Sequence, residues 1–193
     1  MNSIDNVLDV SQFTGIQDKI LGPTMDWYYR EVTTYRNEPN NRLYDGSFSH
    51  WALTAEGYKS HLYQMLHDAL VVCLAKTGQE LDKMLRIRIG MYMLTPEEFI
   101  HTAHIDCDIP HQSGLLYLQS SESPTIFYNE FYEPETKMDS YDRLQQLQLS
   151  EFGRIYPKEN SFAWFDGLRY HCSSSPTKEK RRVVVNYNYT VKE

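Results

Sequence analysis

Alternation of apolar and polar residues dominates the second half of the chain. Leu85, Ile87, Ile89, Met91 and Met93 alternate with Arg86, Arg88, Gly90 and Tyr92. That is the period of a strand with one greasy face and one polar face. Shorter apolar runs follow over 114–119, 125–132, 161–166, 169–172 and 182–191. Turn residues separate them: Thr95-Pro96, Ile109-Pro110, residues 120–124 and 133–140, and Asp166-Gly167. Residues 144–149 fit helix and strand equally, and 155–160 reads as a strand end and turn. Short strands divided by turns predict a sandwich or jelly roll.

The first half has a different period. Tyr58, Leu62, Leu66, Leu70 and Leu74 recur at helical spacing, and Met65, Ala69 and Cys73 widen the stripe. The spacing predicts a helix over 54–77, with Thr54 as N-cap and Gly78 as its stop. His61 and His67 fall on it and read as surface or satisfied core histidines. Ile16, Ile20 and Leu21 suggest a short helical face before the breaker Leu21-Gly22-Pro23. Residues 33–47 lack any period and read as a long loop, either a lid or a wrap around the core. The expected architecture is mainly β with helices (α+β). It is a double-stranded β-helix, a cupin-like jelly roll, with N-terminal helices packed on one sheet. One domain over 1–193 is expected, 1–84 giving helical and loop support and a lid, and 85–191 the jelly-roll core.

Composition changes this picture in three places. Aromatics make up 13%, with 15 Tyr, which suits strands and polar pockets with an apolar wall. The net charge of −7 argues against non-specific nucleic-acid binding, which needs a basic footprint. Three Cys, at 73, 107 and 172, with no CxxC spacing, fit a reducing compartment rather than a disulfide framework. No N-terminal apolar run or 18-residue apolar stretch is present, so neither a signal peptide nor a membrane span is expected. A cytoplasmic location follows as an expectation.

The candidate chemistry begins at His104-Ile105-Asp106. In an extended strand, positions i and i+2 share a face, so the imidazole and the carboxylate can meet at one point. Seven His and 12 Asp are present, and roughly 0.4 such tripeptides arise by chance at that composition, so the motif alone is weak. A third ligand would complete the 2-His-1-carboxylate face that suits non-haem Fe(II). The candidate is His171, delivered by an apolar strand and a tight turn, 164–170. His101 and His111 flank the motif and read as pocket-edge or surface residues.

The last strand adds a second element. Arg181, Val183, Val185, Tyr187 and Tyr189 share one face; Arg182, Val184, Asn186 and Asn188 share the other. The first face, beyond Arg181, suits packing against helices. The second carries a cation and two amides and suits the lining of a polar pocket. An arginine fork there can bind a carboxylate in bidentate fashion, as a dicarboxylate co-substrate requires.

His104-x-Asp106, then His171, then the Arg181/Arg182 pair resembles the Fe(II)- and 2-oxoglutarate-dependent dioxygenases. The nearest branch is the prolyl-4-hydroxylase-like one with its short, phage-encoded members, over about 85–189. The resemblance implies Fe(II) on His104, Asp106 and His171, with 2-oxoglutarate and O2 as co-substrates. It implies that the far carboxylate of 2-oxoglutarate meets Arg182 and Tyr117, with Arg181 the alternative to Arg182 and Tyr92 a second co-substrate tyrosine. It implies hydroxylation of a C–H bond with release of succinate and CO2, and host cytoplasm if the chain is phage-encoded. The expected partner is a peptide, protein or small-molecule substrate, with no nucleic acid and no membrane. Trp27-Tyr28-Tyr29, Tyr35 and the 36–48 loop are the expected substrate groove, with Arg88 and Asn186 on the pocket side. Arg86 and Arg88 could meet an anionic substrate or pair with the acidic surface. Two departures appear: Val184 stands where a small residue is usual, and Ser123-Pro124-Thr125 where a glycine pair is common. The competing readings are a cupin-type metal enzyme without 2-oxoglutarate, for which His111 is the spare ligand, and a non-catalytic jelly-roll binding module. A third, nucleic-acid demethylation, needs the basic groove that the net charge disfavours.

Overall fold

The structure is a computed structural model, described for residues 1–35, 42–136 and 138–192. In chain order the elements are β1 (Asn2–Ile4), α1 (Val10–Leu21), β2 (Tyr28–Arg30), β3 (Ser47–Leu53), α2 (Tyr63–Lys76), β4 (Leu81–Met93) and β5 (Phe99–Ile100). They continue with β6 (Gln112–Tyr117), β7 (Thr125–Phe131), a 3-10 turn (Pro134–Thr136), α3 (Ser140–Leu144), β8 (Glu151–Ile155), β9 (Ser161–Asp166), β10 (Arg169–Ser175) and β11 (Arg181–Val191). Seven strands form one sheet in the order β1-β9-β6-β11-β4-β3-β2, and four form the other, β5-β10-β7-β8. This is the mainly β jelly roll that the strand pattern predicts.

The alternation seen in sequence sorts side chains onto two sides of the larger sheet. Ile87, Ile89 and Met91 of β4 and Val183, Val185, Tyr187 and Tyr189 of β11 are buried with Ile16 and Ile20 of α1 and Leu66 and Leu70 of α2. Helices thus cover the outer face of that sheet. Burying a large aliphatic side chain contributes about 1.5–3 kcal/mol, so this layer anchors the sheet. On the inner face, between the sheets, Tyr92, Leu115, Tyr117, Phe127, Phe165 and Val184 form a smaller cluster. A third cluster, with Ile126, Tyr170 and Cys172, lies on the outer side of the four-stranded sheet. The polar residues of β4 and β11 therefore face the inter-sheet space.

Several sequence expectations change. The second helix begins at Tyr63, not at residue 54. Leu53 pairs with Lys59 across a turn in which Gly57 takes φ +89°, and Ser60 N–H donates to Ala52 O, so 54–62 is spent closing this turn. Its end agrees with the sequence: Gly78 has φ +73°, and Gln79 N–H returns to Leu74 O. His61 therefore precedes the helix. Residues 1–84 supply β1, β2 and β3 to the large sheet, and the 84/85 boundary falls inside β4. Residues 144–149 are neither a helix nor a strand beyond Leu144, and β8 occupies Glu151–Ile155. Of the 33–47 loop and the 36–48 groove segment, 36–41 lies outside the described residues. Among the described residues, no helix is long and apolar enough to cross a membrane. All three cysteines are free.

Candidate metal centre and co-substrate cavity

The His-x-Asp motif sits in an irregular segment rather than in a strand. His104 alone pairs with β10, through a single bridge to His171. Two main-chain hydrogen bonds tie them: His104 N–H to His171 O at 2.8 Å, and His171 N–H to His104 O at 3.0 Å. The backbone itself brings the two histidines together, with ring centroids 4.7 Å apart. Asp106 completes the group, its oxygens 3.9 Å from His104 Nε2 and 3.7 Å from His171 Nε2. One ligand atom from each of the three lies within 4.8 Å of the others.

The protonation states suit a metal. His104 Nδ1 faces Thr102 O at 3.2 Å, and His171 Nδ1 faces Arg169 O at 3.0 Å. A carbonyl only accepts, so each Nδ1 carries the proton and each Nε2 offers a lone pair. Burial, then the facing His171, pushes the pKa of His104 down to about 3. Burial also lowers that of His171, although Asp106 opposes the shift. Burial works against ionising Asp106, yet Arg86, the two histidines and Asn186 hold its carboxyl well below the usual range. Two neutral imidazoles and one carboxylate on a common face are the donor set of a facial triad, and they fit a divalent iron.

Asp106 is held more firmly than the sequence suggested. Arg86 Nη2 donates to its Oδ1 at 2.5 Å, and Nη1 to its main-chain oxygen at 3.1 Å. Asn186 Nδ2 reaches both oxygens, at 3.2 and 3.0 Å, and Asn188 Nδ2 and Ser113 Oγ donate to Oδ2 at 3.0 and 3.2 Å. Arg86 thus pairs with the centre of the site and not with an acidic surface. Its place on the polar face of β4 was readable; its partner, 20 residues on in an irregular segment, was not. Asn186, expected as a substrate contact, holds the metal carboxylate.

At the other end of the inner cavity lies Arg182, 1% exposed. Its Nη2 donates to Thr125 Oγ1 at 2.7 Å, and Tyr117 Oη lies 3.0 Å from the same hydroxyl. Nε and Nη1 are buried without a partner. The guanidinium carbon is 5.4 Å from the Tyr92 ring centroid and 5.9 Å from that of Tyr117. Burial raises the Tyr117 pKa while Arg182 opposes it, so the phenol remains a donor. A planar fork with unpaired N–H groups fits a carboxylate. Arg181 points the other way: its Nη2 donates to Leu21 O at the end of α1, 3.0 Å away. It is not brought to the cavity, because successive residues of β11 face opposite sides.

The outer rim also needs correction. Trp27 packs against the large core, not the groove. The tryptophan near the site is Trp51, on β3, with the guanidinium carbons of Arg86 and Arg88 at 5.5 and 6.0 Å from its ring. Nothing in the local pattern marked it. Tyr35 lines the outer cavity and packs on Tyr141, ring centroids 4.9 Å apart. His101 is buried between Asp45 Oδ1 at 3.0 Å and Ser175 Oγ at 3.1 Å, and His111 contacts Ile109 O at 2.7 Å; neither joins the ligand group. Cys172 turns away into the third cluster, and Cys107 lines the open groove.

No protein-family model matches the sequence, and a search of curated proteins finds no match. The fold does have solved neighbours. An oxidoreductase of the 2OG-Fe(II) oxygenase family from Burkholderia pseudomallei superposes with a TM-score of 0.63 at 9% identity, over 97% of this chain and 84% of that one. A prolyl hydroxylase from Trichoplax adhaerens, in complex with a hypoxia inducible factor oxygen degradation domain peptide fragment, gives 0.56 at 12% identity, over 97% and 82%. The epimerase SnoN from nogalamycin biosynthesis, in complex with Fe3+, alpha ketoglutarate and nogalamycin RO, gives 0.60 at 10% identity, over 97% and 77%. The fold is that of the 2-oxoglutarate–Fe(II) oxygenases. Within that class the structural neighbours include prolyl hydroxylases.

Proposed function

We propose that the chain is an Fe(II)- and 2-oxoglutarate-dependent oxygenase that hydroxylates a C–H bond. The observation that carries this reading is a metal-donor group beside a cavity that ends on an arginine. His104 and His171, which with Asp106 form the donor group, line one end of the inner cavity, and Arg182 offers unpaired buried N–H groups at the other. His104, Asp106 and His171 would hold the iron. Arg182, with Tyr117 and Thr125 beside it, would bind the far carboxylate of 2-oxoglutarate, and Tyr92 would wall the arginine. Bound iron, 2-oxoglutarate and dioxygen together supply the oxidising power that side chains lack, with succinate and CO2 as co-products. The chain supplies position and enclosure: neutral Nε2 lone pairs, an aspartate clamped by Arg86 and two asparagines, and a cavity buried between the two sheets.

The substrate side is read as prolyl-hydroxylase-like, on a peptide. An open groove of about 820 Å3 runs past Asp106 and Cys107 and is lined by Tyr28, Arg30 and Trp51. Its size and aromatic wall suit an extended segment, and a neighbour of this fold is complexed with a peptide.

The test has two parts. Anaerobic addition of Fe(II) and 2-oxoglutarate is expected to give a visible metal-to-ligand charge-transfer band, which His104→Ala removes. Aerobic turnover against a peptide and small-molecule panel is expected to release succinate and a product heavier by one oxygen atom. Absence of the band in the wild type, with no effect of His104→Ala on metal binding, would sink the reading. The epimerase among the neighbours makes product analysis necessary, because succinate alone does not distinguish hydroxylation from another oxidation.

A further inference from the structure

Arg88 is the buried cation that the proposed function leaves unused. It leaves β4 on the same face as Arg86 and Tyr92 and is 8% exposed. It lines the inner cavity together with His104 and Arg182, and also the outer cavity with Tyr35, Trp51 and Asp106. It therefore stands where the two meet, beside the metal donors. Its Nε and Nη2 are buried with no hydrogen-bond partner. Among the described residues no carboxylate pairs with it; the Trp51 ring, 6.0 Å from its guanidinium carbon, is its cationic contact.

Leaving a guanidinium buried and unpaired is costly, so the arrangement requires a reason. The other arginines of β4 and β11 that face the cavities are accounted for. Arg86 is paired with Asp106. Arg182 is assigned to the far carboxylate of 2-oxoglutarate, and the near carboxylate would be neutralised by the divalent metal. Arg88 remains without a counter-charge, and it faces the outer cavity through which a substrate must come.

We infer that Arg88 binds a carboxylate of the substrate, so that the substrate is an anion at the end that reaches the metal. The inference rests on the oxygenase reading above and narrows its substrate class. The Nε–Nη2 edge of a guanidinium is one of its two edges that take a carboxylate in bidentate fashion, and here both nitrogens are unpaired. Trp51 on one side gives the anion's carbon skeleton an apolar wall. Two sources of carboxylate meet this description: a small free carboxylic acid, or the carboxylate of a peptide lying in the open groove.

The experiment uses the full chain loaded with Zn(II) and 2-oxoglutarate, so that binding is read without turnover. Calorimetry first records 2-oxoglutarate binding. Trp fluorescence, to which Trp51 contributes, and calorimetry then follow titration with free proline, N-acetylproline and an acidic peptide, each against its carboxamide counterpart. The wild type is expected to prefer carboxylates by about tenfold. Arg88→Gln is expected to abolish that preference while 2-oxoglutarate affinity shifts less than about twofold, and Arg88→Lys to retain part of it. Preference among the small acids or among the peptides identifies the source. Equal binding of acids and amides by the wild type overturns the inference. So does a tenfold loss of 2-oxoglutarate affinity in Arg88→Gln, which would assign the arginine to the co-substrate. Failure of the wild type to bind Zn(II) and 2-oxoglutarate at all appears in the first step and removes the oxygenase reading, and the inference with it.

Discussion

Arg86 grips Asp106 twice, through the carboxylate at 2.5 Å and through the residue's own main-chain oxygen at 3.1 Å. The Asp106 side chain is buried, at 3% exposure, and that of Arg86 is partly buried, at 15%. In the absence of a metal this pair neutralises the aspartate; with a metal, two cations share it.

That sharing sets the sign of a prediction. Asn186, Asn188 and Ser113 still orient the carboxylate when Arg86 is removed. Arg86→Gln therefore leaves a buried charge unpaired and should destabilise the metal-free protein by about 3–5 kcal/mol. A divalent ion would then replace the missing cation. The melting-temperature rise on adding Zn(II) should exceed that of the wild type, because binding to the folded state adds to stability. Thermal melts with and without Zn(II) check this. An unchanged metal-free melt, or a smaller Zn(II) shift, contradicts it.

Arg181 and Arg182 are adjacent yet face opposite sides of the sheet. Arg182→Gln should weaken 2-oxoglutarate binding at least about tenfold, the loss expected for a charged hydrogen bond. Arg181→Gln should change it less than about twofold. Calorimetry on the Zn(II)-loaded protein separates the two, and a larger loss for Arg181 would reverse the assignment.

Gly114 is a packing glycine. A Cβ there would meet Phe162 Cζ at 2.6 Å and Tyr189 Cε1 at 3.1 Å, and both rings are fully buried. Gly114→Ala should cost about 1–3 kcal/mol, by overpacking. Urea unfolding measures it; a midpoint equal to the wild type's would show that the rings yield.

Acid should loosen the chelator-treated protein. His104 titrates near 3 in the folded chain but near 6.5 when unfolded. Between those values the unfolded state binds the extra proton, so stability falls as pH drops from about 6.5 towards 3. His104→Gln should flatten that slope. Melting curves across the window test it, and a slope identical in the variant would assign the effect to other groups.

Much of the fold was legible because alternation is a local signal. Along β4 and β11 it split Ile87 and Val185 from Arg88 and Arg182, and it marked Arg182 as lining a polar pocket, while leaving Arg88 open between a substrate and the acidic surface. It also placed Asn188 correctly, though not its hydrogen bond to Asp106. The pairings across the chain were not legible: Arg86 with Asp106, His104 with His171, and Trp51 rather than Trp27 beside the site. Nor was the start of α2, where helical spacing at Tyr58 and Leu62 continued through a turn that Gly57 and the Leu53–Lys59 bridge impose. Edge strand β8 was missed beyond its last residue, because Glu151 and Phe152 are both exposed and show no alternation.

β11 carries both ends of the proposed co-substrate cavity: Arg182 at one, and Asn186, which holds Asp106, at the other. Their separation is four strand residues, about 13 Å of rise at 3.3 Å each. No loop or hinge lies between them, so the strand acts as a caliper whose jaws cannot be adjusted singly. A slip of one residue would carry Arg182 to the helix face instead of lengthening the gap. Keto diacids one carbon shorter or longer, oxaloacetate and 2-oxoadipate, should therefore bind at least about tenfold more weakly than 2-oxoglutarate. Calorimetry showing equal affinities would mean that the gap is set elsewhere.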